Sequence, residues 1–218
     1  MLDSIIKETA KNPNAAVIWM HGLGADGYDF ADIAPELGLP QGSAIRFIFP
    51  HAPIMPVSIN NGYEMHAWFD IIHMDLEQEP DMEGIEKSSL LIDELIDAEI
   101  KKGINSERIL LIGFSQGGVM ALHTATRYGK KLAGAASLSA FFPTAQTMPL
   151  DAVNSKIPVF FGHGSFDNVL PAELSKKAFE FLQSNGNPVE RHLYHMQHSV
   201  CMEELQVLGK WIANAFSL

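Results

Sequence analysis

The sequence contains little cysteine, no long apolar run and no basic leader at its start. Its single cysteine, Cys201, excludes an intramolecular disulfide framework and favours a reducing cytoplasm. No apolar run approaches the roughly 20 residues that a membrane-spanning helix needs. The first residues lack a basic region followed by an apolar core, so no secretory signal is expected. We therefore expect a soluble cytoplasmic protein.

Positive charge is also scarce. The chain has 15 Lys and Arg residues but 26 Asp and Glu residues, which gives a net charge of −11 and a pI near 5.2. Nonspecific binding to nucleic acid depends on Lys and Arg contacts to phosphates, so nucleic acid is not an expected partner. The 218 residues are 47% hydrophobic, which is enough for one core of ordinary size. We expect a single domain that covers residues 1–218.

Short apolar runs alternate with amphipathic segments along the chain. The runs predict strands at residues 15–20, 45–49, 109–114, 133–138, 157–161 and 189–194. Helices are predicted at residues 83–101, 119–125 and 172–184, and along a final apolar stripe of Leu205, Leu208, Trp211, Ile212 and Ala215. No repeat or low-complexity linker divides this pattern. It predicts an α/β fold with a mostly parallel sheet and helices on both faces.

A predicted strand at 109–114 runs into Gly113, Ser115 and Gly117, which match G-x-S-x-G, and then into a helix. This arrangement projects a nucleophilic serine from a tight strand-to-helix turn, where only glycine fits two positions before and after it. The N-terminus of the following helix would favour a negative charge near the serine. A serine that only caps the helix is the alternative interpretation. The context favours a serine hydrolase with Ser115 as nucleophile.

An acid and a base follow in the chain order that this fold requires. Asp167 lies in a turn-rich loop after the strand predicted at 157–161, and His198 lies in the loop after the last predicted strand. A neutral imidazole can take the serine proton, and a carboxylate fixes its tautomer and stabilises the imidazolium that forms. Each residue alone could instead cap a turn or a helix. Because all three residues occur in the required order along the chain, they favour a triad of Ser115, Asp167 and His198.

The oxyanion donors are sought in the glycine-rich loop after the first predicted strand and next to the nucleophile. Glycines let this loop approach a substrate closely. We expect the backbone N–H groups of Leu23 and Gln116 to bind the oxyanion.

The same loop also matches the dinucleotide fingerprint G-x-G-x-x-G at residues 22–27. That fingerprint expects an acidic residue about 20 positions further on, to bind the ribose hydroxyls. Residues 46–51 contain no carboxylate. We therefore expect no nucleotide cofactor.

Histidines are frequent near the end of the chain, where His192, His195 and His198 recur at every third position and His163 lies in a neighbouring predicted loop. One of the three falls in a predicted strand and the others in the loop beyond, so helical clustering is not expected. The acidic residues between positions 75 and 83 lack the glycine and the spacing of an EF-hand. We expect no metal site.

Taken together, these residues resemble the phospholipase/carboxylesterase family of α/β-hydrolases, which includes acyl-protein thioesterases and bacterial carboxylesterases. The resemblance spans nearly the whole chain and is carried by residues 21–27, 49–53, 67–70 and 113–118 and by the loops with Asp167 and His198. It implies the α/β-hydrolase fold, the same triad, the same oxyanion donors, no metal, and hydrolysis of esters or thioesters. Residues 164–168 depart from the usual family sequence, which leaves the shape of that loop open. The family includes monomers and dimers, and a homodimer is one expectation.

The substrate is the least determined feature. The apolar connection at residues 68–74 favours an acyl-binding flap or a surface that touches lipid, while ordinary core packing is the alternative. The predicted acyl-contacting residues are Trp68, Ile71, Ile72, Met74, Phe141, Phe142 and Leu170, with help from Leu23. A carboxylesterase for short-to-medium acyl chains is the first reading, ahead of a protein depalmitoylase or a lysophospholipase. A noncatalytic protein that binds an acylated ligand is the alternative of another class.

Overall fold

The computed structural model describes residues 1–73, 78–146, 149–151 and 153–218. In these ranges the strands are β1 (Ser4–Glu8), β2 (Ala15–Met20), β3 (Ile45–Pro50), β4 (Ile54–Val57), β5 (Tyr63–His66), β6 (Ile109–Phe114), β7 (Gly134–Leu138), β8 (Val159–Gly164) and β9 (Val189–Tyr194). The α-helices are α1 (Met82–Lys101), α2 (Gln116–Ala125), α3 (Ala172–Ser184) and α4 (Met202–Phe216). Short 3-10 helices lie at Ala34–Leu37, Ser58–Asn60 and Ser106–Arg108.

One sheet runs through the molecule in the strand order β1-β3-β2-β6-β7-β8-β9. Its strands are parallel except for β1, which pairs antiparallel with β3 at one edge. Strands β4 and β5 form a separate antiparallel hairpin. The predicted α/β class with a mostly parallel sheet is confirmed. In such a sheet the carboxyl ends of β2, β6, β8 and β9 lie along one edge, where ligands bind in this fold class.

The sheet has an apolar layer on each face, as expected for parallel strands covered by helices. In β2, Ala16, Ile18 and Met20 pack on the side of α1, α2 and α3. The alternate residues pack on the opposite side, against α4 and the 3-10 helix Ala34–Leu37. Every residue of β2 is buried. A continuous apolar run therefore forms this strand even though the run does not alternate in polarity.

Most predicted boundaries agree with the structure. Strands β2, β6 and β9 and helix α3 have the predicted ends, whereas β8 begins two residues later and extends to Gly164. Pro158 has no N–H with which to join the ladder, so the strand starts after it. At the other end of β8, Gly164 permits a close approach, because a Cβ there would lie 2.3 Å from the Gln197 carbonyl oxygen.

The edge strand β1 and the β4–β5 hairpin are not predicted by the sequence pattern. Strand β1 has only two apolar residues and is half-exposed, so its polarity does not distinguish it from a loop. The hairpin carries a local signal, since Asn61 and Gly62 lie between its strands with φ of 56° and 74°. An Asn-Gly pair between two short runs is a hairpin signature. Among the described residues, the helices include none with the length and apolar character that a membrane span requires.

Candidate active site

Ser115, His198 and Asp167 form a chain of hydrogen bonds at the carboxyl edge of the sheet. The Ser115 Oγ lies 2.9 Å from His198 Nε2, and His198 Nδ1 lies 2.7 Å from Asp167 Oδ2. The Asp167 side chain is fully buried and that of His198 is 16% exposed. The Phe114 ring packs against the imidazole with centroids 4.8 Å apart. The structure thus brings together the three residues predicted as nucleophile, acid and base.

Ser115 lies in a strained turn between β6 and α2, with φ of 53° and ψ of −120°. The flanking glycines are required by close packing. A Cβ on Gly113 would lie 2.1 Å from the Gly117 carbonyl, and a Cβ on Gly117 would lie 2.3 Å from the Met20 carbonyl oxygen. Backbone strain of this kind persists only where the surroundings enforce it. The tight packing of β6, α2 and β2 therefore presents the serine hydroxyl at the start of the helix.

The structure shows whether each of the three residues caps a helix or a turn, which was the alternative interpretation of each. Ser115 occupies the N-cap position of α2, but its side chain makes no capping hydrogen bond. His198 lies before the N-cap of α4, which is Cys201. Asp167 caps a turn with one oxygen, because Oδ1 accepts hydrogen bonds from the N–H groups of Val169 (2.9 Å) and Leu170 (2.8 Å). Its other oxygen accepts from His198, so this carboxylate both closes the turn and orients the imidazole.

A second histidine lies beside the acid. The His163 Nε2 donates to the Leu170 carbonyl at 2.8 Å and lies 3.3 Å from Asp167 Oδ2. The ring is fully buried, and burial lowers the pKa of His163 below its usual range. His163 therefore packs as a neutral imidazole beside the buried carboxylate, with its Nε2–H donated to the Leu170 carbonyl. Sequence reasoning assigned no role to His163 in the triad, although its place at the end of β8, four residues before Asp167, was a usable signal.

The loops that carry the acid and the base are held against each other by backbone contacts. The Ser165 N–H donates to the Tyr194 carbonyl at 2.8 Å, and the Phe166 N–H donates to the Met196 carbonyl at 3.0 Å. The Ser165 Oγ also donates to the Tyr194 carbonyl. Ser165 and Phe166 therefore continue the backbone hydrogen bonding between the β8 and β9 segments beyond the strands. This pairing explains how Asp167 and His198 meet although 31 positions separate them in the chain.

Leu23 and Gln116, whose backbone N–H groups are the predicted oxyanion donors, both line the cavity in front of Ser115. Within the part of the chain that the structure describes, neither N–H donates a hydrogen bond to another protein group. Gln116 is the first residue of α2, so its N–H belongs to the positive end of that helix. Both N–H groups are available to donate hydrogen bonds to an anion beside the serine hydroxyl.

The side chain of Gln116 has a further structural function. Its Oε1 accepts from the Trp68 N–H at 2.8 Å, and its Nε2 donates to the Phe69 carbonyl at 2.6 Å. The Trp68 indole N–H donates to the His21 carbonyl at 2.9 Å, and Ser88 Oγ donates to the Trp68 carbonyl. These bonds attach residues 68–69 to the turn that carries Ser115, to the glycine-rich loop at residues 21–27 and to α1.

A cavity of about 400 Å³ opens at the serine. This volume lies within the range of about 300–1,000 Å³ that is usual for small-molecule sites. Its wall is mainly apolar and includes Gly22, Leu23, Ile59, Phe69, Ile71, Ile72, Phe114, Val119, Phe141, Val169 and Leu170. Phe114 and Val119 were missed by sequence reasoning, although their positions next to Ser115 point to the site. An apolar wall beside a nucleophile fits an acyl chain.

Charge on the cavity wall is negative. Asp29, Asp70 and Glu79 line the cavity, and the described lining residues include neither Lys nor Arg. Partial burial, and after it the charge of Asp26, raises the pKa of Asp29. Asp70 is held in place by Ser58, whose N–H donates to Asp70 Oδ1 at 2.7 Å. An anionic leaving group would therefore meet charge of its own sign at this site.

The predicted acyl-contacting residues fall into three groups. Ile71, Ile72, Phe141 and Leu170 line the cavity, as does Leu23. Trp68 and Phe142 are buried core residues that are not among the residues lining the cavity. Met74 lies outside the described residues.

Trp68 and Phe142 are directed away from the cavity by different contacts. Trp68 is turned inward by its indole hydrogen bond and by a tilted contact with the His21 ring, whose centroid lies 5.4 Å away. Phe142 follows the cavity residue Phe141 and points away from it, onto Phe181 and the Arg127 guanidinium. Both residues therefore pack behind the cavity wall, whose surface is formed by their chain neighbours Phe69 and Phe141.

The histidines that were considered as metal ligands are dispersed. His192 stacks on Phe160 at 5.2 Å, whereas His195 contacts Phe166 at 4.5 Å on the surface. The described residues contain no group of three or more His, Cys, Asp or Glu side chains arranged to hold a metal ion. In the glycine-rich loop, a Cβ on Gly27 would lie 2.4 Å from the Phe49 carbonyl oxygen. Gly27 of the dinucleotide-like motif is therefore needed for close packing against β3.

Comparisons with known proteins agree with this geometry. The model of the phospholipase/carboxylesterase family matches residues 2–216. Acyl-protein thioesterase 1 of Schizosaccharomyces pombe is 38% identical over 214 aligned positions, which cover 96% of this chain and 95% of the relative. Acyl-protein thioesterase 1 of Cryptococcus neoformans var. neoformans serotype D is 35% identical over 222 aligned positions, which cover 92% of each chain.

A solved structure extends the similarity to the fold. The crystal structure of Zea mays acyl-protein thioesterase 2 superimposes with a TM-score of 0.86 at 26% identity, and the match covers 99% of this chain and 100% of that one. The resemblance inferred from the sequence motifs is thereby confirmed. The chain belongs to the phospholipase/carboxylesterase family of α/β-hydrolases and is a serine hydrolase.

Proposed function

We propose that this enzyme hydrolyses carboxylic esters of short-to-medium acyl chains through an acyl-enzyme formed on Ser115. The observation that carries the proposal is the hydrogen-bonded chain of Ser115, His198 and Asp167 at an apolar cavity of about 400 Å³. The unpaired and partly exposed Cys201 is consistent with action in the reducing cytoplasm.

The reaction follows from the positions of these groups. Ser115 Oγ attacks the acyl carbonyl while His198 Nε2 takes its proton, and the buried Asp167 carboxylate stabilises the imidazolium. The negative charge on the tetrahedral oxygen is bound by the N–H groups of Leu23 and Gln116. His198 then gives its proton to the departing alcohol or thiol, which leaves the acyl group on Ser115. Water, deprotonated by His198, then attacks the acyl carbon, and the bond to Ser115 Oγ breaks as His198 returns the proton to that oxygen and the carboxylic acid leaves.

The experiment that tests this function measures kcat/KM for p-nitrophenyl esters from acetate to dodecanoate. We expect turnover with an optimum at short or medium chains, since the cavity is of limited size. A fluorophosphonate should inactivate the enzyme with one adduct per chain, and peptide mass analysis should place the adduct on Ser115. An adduct on another residue, or turnover that survives full labelling, would contradict the serine assignment.

A thioesterase that removes acyl groups from proteins is the second candidate function, because the two relatives compared above are acyl-protein thioesterases. The ester and thioester reactions share every step except the leaving group. Matched S-acyl and O-acyl substrates with the same acyl chain therefore separate the two readings. A kcat/KM for an S-octanoyl peptide more than about tenfold above that for its O-octanoyl analogue would favour the thioesterase.

Ile71 offers a test of the acyl site, because it lines the cavity next to the exposed Ile72. We expect Ile71→Asp to lower kcat/KM for octanoate by about tenfold or more relative to acetate, because each buried methylene contributes about 0.8 kcal/mol. Binding to liposomes should fall as well if this surface touches lipid. Leu90→Asp is the matched control, since Leu90 is 66% exposed on α1 and does not line the cavity. Unchanged chain-length preference and liposome binding in Ile71→Asp would remove both roles.

A further inference from the structure

His21, the first residue after β2, has both ring nitrogens engaged with backbone groups. Its Nδ1 lies 2.7 Å from the Gly22 carbonyl oxygen, and its Nε2 lies 3.0 Å from the Ala52 nitrogen. A carbonyl only accepts and a backbone N–H only donates, so the ring proton is on Nδ1 and Nε2 accepts. Burial lowers the pKa of His21 to about 4, and the ring is 1% exposed. His21 is therefore a neutral imidazole in one defined tautomer.

The carbonyl that His21 holds belongs to the same peptide unit as the Leu23 N–H. In a planar trans peptide the C=O and the N–H point in opposite directions. With the Gly22 oxygen directed toward the His21 ring, the Leu23 N–H points in the opposite direction within the peptide plane, away from that ring. Gly22 lies next to the nucleophile, because a Cβ built on it would be 3.4 Å from the Ser115 Cβ. The Leu23 N–H, which donates to no protein group among the described residues, therefore points away from His21 in a loop that borders Ser115 and lines the cavity.

We infer that His21 is a positioning residue that fixes the orientation of the Leu23 N–H as an oxyanion donor. The inference rests on the proposed function, since the oxyanion arises only if Ser115 attacks an acyl carbonyl. His21 is itself held by the Trp68 ring at 5.4 Å and by the indole hydrogen bond to its carbonyl. The same contacts connect the loop at residues 21–27 to residues 68–69 and, through the Gln116 side chain, to the turn that carries Ser115.

Two variants separate the two hydrogen bonds of the imidazole. An Asn side chain is able to place an N–H near the Nδ1 position, so His21→Asn keeps a donor for the Gly22 carbonyl. A Gln side chain is able to place an oxygen near the Nε2 position, so His21→Gln keeps the acceptor for the Ala52 N–H and loses the Nδ1 donor. Both variants remove the ring, and the melting temperature of each measures the general cost of that loss.

We expect His21→Gln to lower kcat for p-nitrophenyl butyrate by about 10- to 100-fold with KM within about twofold, since misplacing one oxyanion donor weakens only transition-state binding. His21→Asn should keep kcat within about threefold of the wild type. The Ki of an alkyl trifluoromethyl ketone, whose Ser115 adduct carries an oxyanion, should rise in His21→Gln by the same factor as kcat falls. The affinity for the free fatty acid product should not change.

The wild type gives an independent test that needs no variant. Two-bond ¹H–¹⁵N NMR spectra at pH 7 should show His21 protonated on Nδ1 alone, and a ring protonated on Nε2 would overturn the inference. Equal kcat in His21→Asn and His21→Gln, with losses that follow only the melting temperature, would overturn it as well. In both cases Ser115-dependent turnover by the wild type would leave the proposed function intact. An inactive wild type would overturn both.

Discussion

Replacing Ser115 with alanine is expected to lower kcat for p-nitrophenyl esters by about 10⁴- to 10⁶-fold, because the acyl-enzyme can no longer form. The measurement is the initial rate over the ester series, with the concentration of folded enzyme checked by circular dichroism. The double variant Ser115→Ala/His198→Ala should be no slower than either single variant, since residues that act as one unit lose their effect together. More than about 10% residual activity in Ser115→Ala would contradict the assignment.

Ser115→Gly is the matched control for stability. Both variants lack the hydroxyl and should be equally inactive, but only glycine adopts φ of 53° and ψ of −120° without strain. A residue with a Cβ in such a region costs about 1–3 kcal/mol. We therefore expect the free energy of unfolding of Ser115→Gly to exceed that of Ser115→Ala by about 1 kcal/mol in urea titrations. A less stable Ser115→Gly would show that the turn is not strained by its Cβ.

The second large effect is expected at Glu204, in the first turn of α4. Its carboxyl is fully buried, and neither of its oxygens has a hydrogen-bond partner among the described residues. The Oε1 lies only 2.0 Å from the place that a Cβ on Gly162 would occupy, so the side chain packs directly against the end of β8. Burial raises the pKa of Glu204 from 4.5 to about 8, and the nearby Cys201 N–H offsets this only in part. The carboxyl is therefore mainly neutral in the folded enzyme at pH 7.

This raised pKa makes stability depend on pH in one direction. The unfolded chain releases the Glu204 proton near pH 4.5, whereas the folded chain keeps it up to about pH 8. Between these values the folded state binds more protons, so this group lowers the free energy of unfolding as the pH rises. The loss reaches about 3–5 kcal/mol at and above pH 8, from 1.36 kcal/mol for each pKa unit.

Glu204→Gln removes this titration while it keeps the shape of the side chain. We expect the variant to be more stable than the wild type by several kcal/mol at pH 8–9 and nearly equal to it at pH 4.5. Guanidinium titrations at pH 5, 7 and 9 measure the difference. Glu203→Gln is the control, since Glu203 is exposed in the same turn and should change stability little at any of these pH values. A difference that is constant with pH, or a less stable Glu204→Gln at pH 9, would contradict the assignment.

The sequence predicted those parts of the fold in which local pattern and burial coincide. β2 and β6 are continuous apolar runs because both faces of a central parallel strand are covered, and their ends were predicted correctly. The edge strand β1 was missed because an edge needs little apolar surface. The end of β8 was missed because Gly162, His163 and Gly164 are not a typical strand sequence and form strand by pairing with β9.

In the candidate site, too, local sequence predicted some features and tertiary packing decided the others. Ser115, Asp167 and His198 could be predicted because each follows a recognisable strand and because the fold fixes their order in the chain. Which face an irregular segment buries could not be predicted. Phe141 lines the cavity while Phe142 packs in the core, and only their neighbours decide between the two.

The sequence by itself indicated the family, the mostly parallel sheet and the three residues of the candidate triad, because steric demands and strand periodicity act within a few residues of each other. The tertiary structure alone decided the tautomer of His21, the neutral state of Glu204 and the shape of the acyl cavity. These properties depend on donors, acceptors and burial supplied by segments far apart in the chain, such as Ala52 for His21 and Gly162 for Glu204. Residue type fixes what a side chain is able to do, and the packing of distant segments fixes which of those states it adopts.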